Sequence, residues 1–369
     1  MKAKKVEILT VTTVSVLILI LSCWFCFKPL TDFSKSERRV LAKPPKSDFT
    51  EVLNGEFSSD FESYTQDQFP LRDRFKALKA FTVYKIFGNI ENNSVFKSQG
   101  HLSKVDKYKN SKMIDHAVNS FKNIYDTYLQ GVNSNIYISV IPDKNCFLAE
   151  TENLLSYDFE EFANEVYKKT DFAKPIDLKP FLSLDSYYKT DSHWRQEKLI
   201  EVADFLLSSM NSEKTVKFNQ KSFSKEFHGV YSGQYLLKTK PDEIKYLTNE
   251  YIESSKLVSL ETLKPVEKDI YDFKKIEGYD LYEFFMGGLD ALQILKSEKS
   301  LSDKKLIIFR DSFASSLVPL LAQSYSEIVL VDTRYIEPKL LKDLVNFKNS
   351  DILFLYSSTI LNNSLALKG

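Results

Sequence analysis

"KKLIIFRDSFASSLVPLLAQSYSEIVLVDTRYIEPKLLKDLVNFKNSDILFLYSS", residues 304–358, decides the fold. Three apolar runs, "LIIF", "EIVLV" and "ILFLY", alternate with two helical stretches, giving strand, helix, strand, helix, strand. Right-handed crossovers make such strands parallel and bring their carboxyl ends to one edge of the sheet. The same rhythm holds upstream. "NIYISVIPDKNCF" (135–147) reads as a buried strand stopped by Pro142, and "FEEFANEVYKK" (159–169) and "RQEKLIEVADFLLSSM" (195–210) read as helices. A long amphipathic helix is expected over Ser111–Leu129, a small hairpin around Gly100, and two helices broken at Phe69-Pro70 within residues 51–87. The stretch from Asn211 to about Asp290, rich in Tyr and Lys, reads as a β-rich antiparallel insertion.

With 369 residues, 43% of them apolar, the chain has ample material for a core. Fifty Lys and Arg balance fifty Asp and Glu, so no global field gathers nucleic acid, and none is expected as a partner. Ten glycines and the absence of a glycine-rich loop argue against a nucleotide enzyme. Cys23 and Cys26 lie in the N-terminal apolar run and Cys146 stands alone; four histidines, at 101, 116, 193 and 228, have no metal-ligand spacing. The chemistry is therefore expected to be metal-free and cofactor-free.

Residues 8–27 carry no charge, follow Lys2, Lys4 and Lys5, and end at Lys28-Pro29. Twenty residues at 1.5 Å each reach about 30 Å, the thickness of a bilayer core. The flanking lysines orient this helix with its N-terminus cytoplasmic and the rest of the chain outside. A cleaved signal peptide fits less well, since the run is long and no small-x-small site follows it; lipidation at Cys23 is a minor alternative. The expected organisation is a cytoplasmic tip and anchor (1–28), a polar, proline-bearing stem (29–50), and an extracytoplasmic domain (51–369) of a single-pass protein of the cell membrane.

Ser312 follows a buried strand and opens a helix, where doubly wound sheets present reactive groups and where backbone amides favour an oxyanion. Asp and Ser at that point also serve as ordinary helix caps. A serine needs an imidazole base, and the base needs a carboxylate to fix its tautomer. In "YYKTDSHWRQE" (187–197), Asp191 and His193 stand two apart, so an extended loop delivers both on one side. The plain alternative is a helix-start histidine packed beside Trp194. Lys144, ending the strand "VIPDK", is expected at the site edge or simply solvated. Asp332 and Arg334 read as a structural ion pair, and His228 as a loop histidine. Tyr231, Tyr235, Tyr246 and Tyr251 read as covering a sheet with wet hydroxyls, with sugar stacking as the alternative.

"TDSHW" (190–194) and "RDSF" (310–313), with "PDK" upstream, resemble the DHHW protein family and, beyond it, the alginate O-acetyltransferase proteins AlgJ and AlgX with their SGNH-hydrolase-like domain. Further matches, in order, are "ERRVLAKPP" (37–45), "YTQDQFPLRD" (64–73), "VFKSQGHL" (95–102), "FFMGG" (284–288) and "VDTRY" (331–335). The resemblance implies an α/β, SGNH-hydrolase-like (flavodoxin-like) sandwich with a rearranged order of motifs, Asp-x-His before the serine, and a β-rich insertion. It implies Ser312 as nucleophile, His193 as base and Asp191 as its orienter. Ser192 stands where the family name suggests a second histidine and is expected to point away, while Arg310 replaces a glycine usual in the alginate branch. For the oxyanion or substrate the chain offers Gly287 and Gly288, the Ser312 amide, and Lys144 and Arg310 nearby.

By the same resemblance the function is O-acetyl transfer to an exported polysaccharide through an acetyl-serine, in exopolysaccharide or envelope modification. The acetyl group would come from a membrane-bound O-acyltransferase partner. A polysaccharide deacetylase or esterase shares the same site. A catalytically inactive, carbohydrate-binding scaffold of an envelope or spore-coat assembly is the reading from a different class.

Overall fold

The computed structural model describes residues 2–46, 49–212, 217–260 and 264–369, so parts of the expected stem (47–48) and insertion (213–216 and 261–263) lie outside the described residues. The chain divides into two compact units, residues 1–92 with 233–238, and residues 93–232 with 239–369. Residues 51–92 thus go with the N-terminal unit.

In the larger unit an eight-stranded mixed sheet comprises β1 (Ile136–Ile141), β2 (Lys174–Pro175), β3 (Ser255–Ser259), β4 (Val266–Lys268), β5 (Leu292–Ser297), β6 (Lys305–Arg310), β7 (Glu327–Val331) and β8 (Ser350–Ser357). Their order is β4-β3-β5-β7-β6-β8-β1-β2. Strands β7, β6, β8, β1 and β2 are parallel, and β5, β3 and β4 continue the sheet antiparallel. The period of two sorts β6 cleanly. Leu306 and Ile308 join one buried cluster with the helices Ile200–Ser209 and Ala314–Leu321, and Ile307 and Phe309 join the other with Ser111–Ile124 and Phe159–Lys169. Burying both faces fixes the register, because a one-residue slip would exchange the two sets.

The hairpin at Gly100 forms as expected, Val95–Ser98 pairing with His101–Lys104 across Gln99 and Gly100, both at positive φ. The expected insertion is only partly separate. Asn219–Phe227 and Asp242–Thr248 make their own antiparallel pair, but β3 and β4 extend the main sheet. Tyr231 and Tyr246 are buried rather than wet, Tyr246 packing among Tyr271, Phe273 and Phe284.

In the N-terminal unit, Lys4–Phe27 is the one helix among the described residues long and apolar enough to cross a membrane, with mean hydropathy 2.3. Helices Glu56–Asp67 and Arg72–Phe81 flank the break at Phe69-Pro70. Residues 29–46 are held more firmly than a free stem. Arg39 binds the Asp67 carboxylate in bidentate fashion, the Ala42 amide donates to Asp67, and Gln68 bonds Thr31 and Ala42. Two sequence-distant stretches, "ERRVLAKPP" and "YTQDQFPLRD", are thereby one structure, reinforced by Glu37 between Arg72 and Lys76.

The Arg39 hydrogen bond holds the Asp67 carboxyl at about 2, below its ordinary 3.8. A depressed carboxylate stabilises the fold in full above its ordinary pKa and loses that contribution as pH falls through the folded value. Acidification from pH 4 towards 2 should therefore loosen residues 29–46, read as new proteolytic cleavage there. Asp67→Ala should produce the same cleavage at neutral pH, with a stability loss of about 2 kcal/mol for the unpaired partners left behind.

Candidate active site

The parallel strands set the site at their carboxyl edge. β6 ends at Arg310, and Ser312 occupies the turn into helix Ala314–Leu321, partly exposed while both neighbours are buried. Asp311 pins this turn: Oδ1 accepts from the Phe313 amide (3.0 Å) and Oδ2 from the Ser357 amide at the end of β8 (2.7 Å). The serine's neighbour is thus structural, and the hydroxyl is left to His193. The Ser312 amide donates to no acceptor among the described residues.

Residues 187–194 form a short loop closed by an antiparallel bridge between Tyr187 and Trp194 and by the Tyr188 amide donating to the His193 carbonyl. The helix begins only at Ile200, so His193 lies on the loop and not at a helix start. Trp194 Nε1 donates to the Phe313 carbonyl (2.8 Å) and Gln196 Nε2 to the Ser316 carbonyl (2.7 Å), docking the loop on the start of helix Ala314–Leu321.

The consequence is a continuous hydrogen-bonded line. His193 Nε2 lies 2.8 Å from Ser312 Oγ, and His193 Nδ1 lies 2.6 Å from Asp191 Oδ1. A carboxylate only accepts, so Nδ1 carries the proton and Nε2 presents its lone pair to the serine hydroxyl. Asp191 is 1% exposed; Oδ1 also accepts from the His193 amide (3.1 Å) and Oδ2 from the Val230 amide (2.8 Å). The Tyr282 ring stacks on the imidazole at 3.7 Å between centroids, 10° from parallel, and its hydroxyl bonds Ser316 Oγ.

Several supports escape sequence reading. Asp242 accepts from the amides of Lys189 and Thr190 and from the Thr190 hydroxyl, and Thr190 Oγ1 in turn accepts from the Gly229 amide. A Cβ on Gly229 would sit 2.4 Å from Asp191 Cβ and from its backbone nitrogen, so only glycine allows this approach. The dipeptide "HG" at 228–229 was the available signal for that contact, and the tyrosine shortly before "FFMGG" carried none.

Lys144, expected at an exposed strand end, is instead wholly buried. Its ammonium donates to the carbonyls of Tyr188 (2.9 Å) and Asp191 (2.6 Å), with Lys189 at 3.4 Å, and sits over the Tyr231 ring. Burial lowers its pKa to about 8, against the opposing pull of Asp143, Asp191 and Asp242. It shapes the loop from behind and presents nothing to a substrate. Arg310 is buried as well, bonded to Ser315 Oγ, Gln293 Oε1 and the Asp311 carbonyl, with desolvation depressing its pKa. A Cβ on Gly287 would meet Lys268 and Asp269, and one on Gly288 would meet Glu283 and Lys275; no hydrogen bond among the described residues joins either to Ser312. Ser192 does not point away: its hydroxyl lies 3.5 Å from Asp191 Oδ1. Asp332 and Arg334 form the expected ion pair, and exposed His228 stands 3.5 Å from Glu226.

A polar cleft of about 700 Å³ opens on the same carboxyl edge, lined among others by Lys104, Asp106, Tyr108, Asp143, Tyr231 and Asn362.

Tyr282→Phe keeps the stacked ring and should retain most turnover of an activated ester, whereas Tyr282→Ala should lower kcat about tenfold or more with little change in KM. Gly229→Ala should lower both kcat and the unfolding temperature, because Asp191 must move. Steady-state kinetics with thermal unfolding separates the two cases.

No family model matches the chain, and no curated protein matches it. Solved structures do. A DHHW family protein from Eubacterium siraeum superposes with a TM-score of 0.61 at 18% identity, over 76% of this chain and 98% of that one. PatB1 of Bacillus cereus, bearing a sulfonyl adduct, gives 0.60 at 18% over 72% of this chain and 95% of its own. The O-acetyltransferase domain of Pseudomonas putida AlgJ matches at 0.43 and 13% identity over 73% and 92%, too distant to inform the site. The mixed α/β sheet therefore has the fold of the DHHW family protein from Eubacterium siraeum.

Proposed function

We propose that this protein is a membrane-anchored, extracytoplasmic serine acyltransferase that moves acetyl groups onto a polysaccharide. The observation that carries the reading is the line Asp191–His193–Ser312, with 2.6 Å and 2.8 Å between successive polar atoms. The surroundings of each member suit its role: a buried carboxyl that accepts from the amides of His193 and Val230 and from the imidazole, an imidazole held between that carboxyl and the serine, and a hydroxyl at a strand-to-helix turn.

In the first half-reaction Ser312 Oγ attacks the acetyl carbonyl as its proton passes to His193 Nε2. The tetrahedral oxyanion is met by the Ser312 amide at the start of helix Ala314–Leu321. The C–O bond to the donor's leaving group breaks as that group takes the proton from Nε2, leaving acetyl-Ser312. In the second half a sugar hydroxyl gives its proton to Nε2 and attacks the acetyl carbon, and Ser312 Oγ leaves with that proton. Asp191 stabilises the imidazolium in both halves and stays ionised. No cofactor or metal enters the scheme. A membrane-bound acyltransferase supplying acetyl at the outer membrane face suits a chain whose N-terminal helix is long enough to span a bilayer. The lysines, asparagine and tyrosines of the polar cleft suit a hydroxyl-rich acceptor.

A sulfonyl fluoride, chosen because PatB1 of Bacillus cereus carries a sulfonyl adduct, should add one sulfonyl group to the full chain at Ser312. An activated acetyl ester should add one acetyl group there. Peptide mass spectrometry reads both; labelling that persists in Ser312→Ala would overturn the assignment. Asp191→Asn should slow acetylation by about 10²–10⁴-fold. Transfer of the label to an oligosaccharide rather than to water separates the transferase from an esterase.

A further inference from the structure

The N-terminal unit leaves a large apolar surface uncovered just beyond the membrane-crossing segment. On helix Arg72–Phe81, Phe75, Leu78 and Phe81 recur at intervals of three, on one stripe, and are 44%, 59% and 48% exposed. Three exposed large apolar side chains on a ten-residue helix are not scatter. The stripe continues into Phe69, whose ring lies 5.7 Å from that of Phe75, and along the chain into Ile86, Phe87 and Ile90, all exposed.

Packing inside this unit joins the stripe to the apolar N-terminal helix. Phe25 meets Tyr64 ring to ring at 5.3 Å, and Ile18, Leu21 and Phe25 line one hollow together with Thr65 and Phe69. At 1.5 Å per residue, Ile18 lies about 14 Å inside the outer end of the helix at Phe27. The hollow runs along the helix from Ile18 to Cys26, so Phe69 lies at the depth of the last turns of a spanning helix. The charges agree with this depth. From 72 to 90 the chain carries Arg72, Arg74, Lys76, Lys79 and Lys85 against a single acid, Asp73, with Arg72 and Lys76 paired to Glu37. Basic side chains flanking an aromatic and leucine stripe are the composition of a helix lying in an anionic headgroup layer.

We propose that helix Arg72–Phe81, with Phe69 before it, lies in the outer headgroup layer of the bilayer that residues 8–27 cross, its occupant being anionic phospholipid. Phe75, Leu78 and Phe81 enter the acyl boundary, and Arg74 reaches the lipid phosphates. The unit is then fixed to the membrane by two elements, one transverse and one in plane. This rests on the anchored reading of the N-terminal helix.

The test uses the full chain in vesicles of phosphatidylcholine and phosphatidylglycerol, with and without bromine on the acyl chains just below the headgroups. Trp24 reports the spanning helix. In a Trp24→Phe background, Leu78→Trp reports the in-plane helix, and Phe81→Trp is the conservative second reporter should the first disturb folding. The expected result is a loss of emission in brominated vesicles from Trp24 in the native chain and from each introduced tryptophan. If Trp24 is quenched while neither introduced tryptophan is, the stripe faces a protein or water instead of lipid, and the proposal falls with the anchor intact. If Trp24 itself is not quenched, the anchored reading fails and the proposal with it.

Discussion

The bond from the Trp194 indole to the Phe313 carbonyl, supported by Gln196 on the Ser316 carbonyl, is the constraint on which the site depends. Both acceptors lie at the start of helix Ala314–Leu321, beside the turn that presents Ser312. The chain separating donor and acceptor runs to 119 residues. Closing so long a loop costs entropy that no single contact repays. The docking survives because Trp194 is fully buried beside Phe313, which supplies apolar area as well as direction. Once that interface is in place, the distance between His193 and Ser312 follows from covalent geometry, since Trp194 adjoins His193 and Phe313 adjoins Ser312.

Beneath the reactive surface lies a second layer made of charges turned inward. Lys144 gathers the carbonyls of an irregular loop that has few ladder bonds of its own, and Arg310 ties the serine turn to β5 through Gln293. Buried cations are tolerated when their donors are satisfied; loop carbonyls meet the Lys144 ammonium, while Arg310 bonds Asp311, Ser315 and Gln293 through two nitrogens and leaves Nε without a partner among the described residues. Such a layer gives the loop one conformation without requiring it to be helix or strand. The cost is sensitivity, because removing either cation leaves several acceptors stranded in a dry interior.

Much of this was legible in the sequence. The apolar runs of "LIIF", "EIVLV" and "ILFLY" announced strands buried on both faces, and the position of Ser312 after one of them announced the turn. A spacing of two positions from Asp191 to His193 was enough to anticipate one loop carrying both. The rest was hidden for physical reasons. Periodicity reports which side of a strand is apolar but not which neighbour it finds, so the addition of β3 and β4 to the sheet could not be seen. Lys144 and Arg310 belong to the residue types least often buried, and only their three-dimensional partners reverse that expectation. Tyr282 stacks on an imidazole that lies 89 positions earlier, a relation no local pattern encodes.

The flat contact between Tyr282 and His193 has a geometric corollary for any two-stage transfer. A ring pressed against a bonded phenol cannot swivel, so Nε2 points into a single sector throughout the cycle. In the proposed transfer the departing donor and the arriving alcohol would both use that sector, and they could not be present together. Traffic through the site would then be one-way-at-a-time: the first product would have to clear the corridor before the second reactant enters. An excess of either compound would obstruct the other by occupancy alone, without a second binding site.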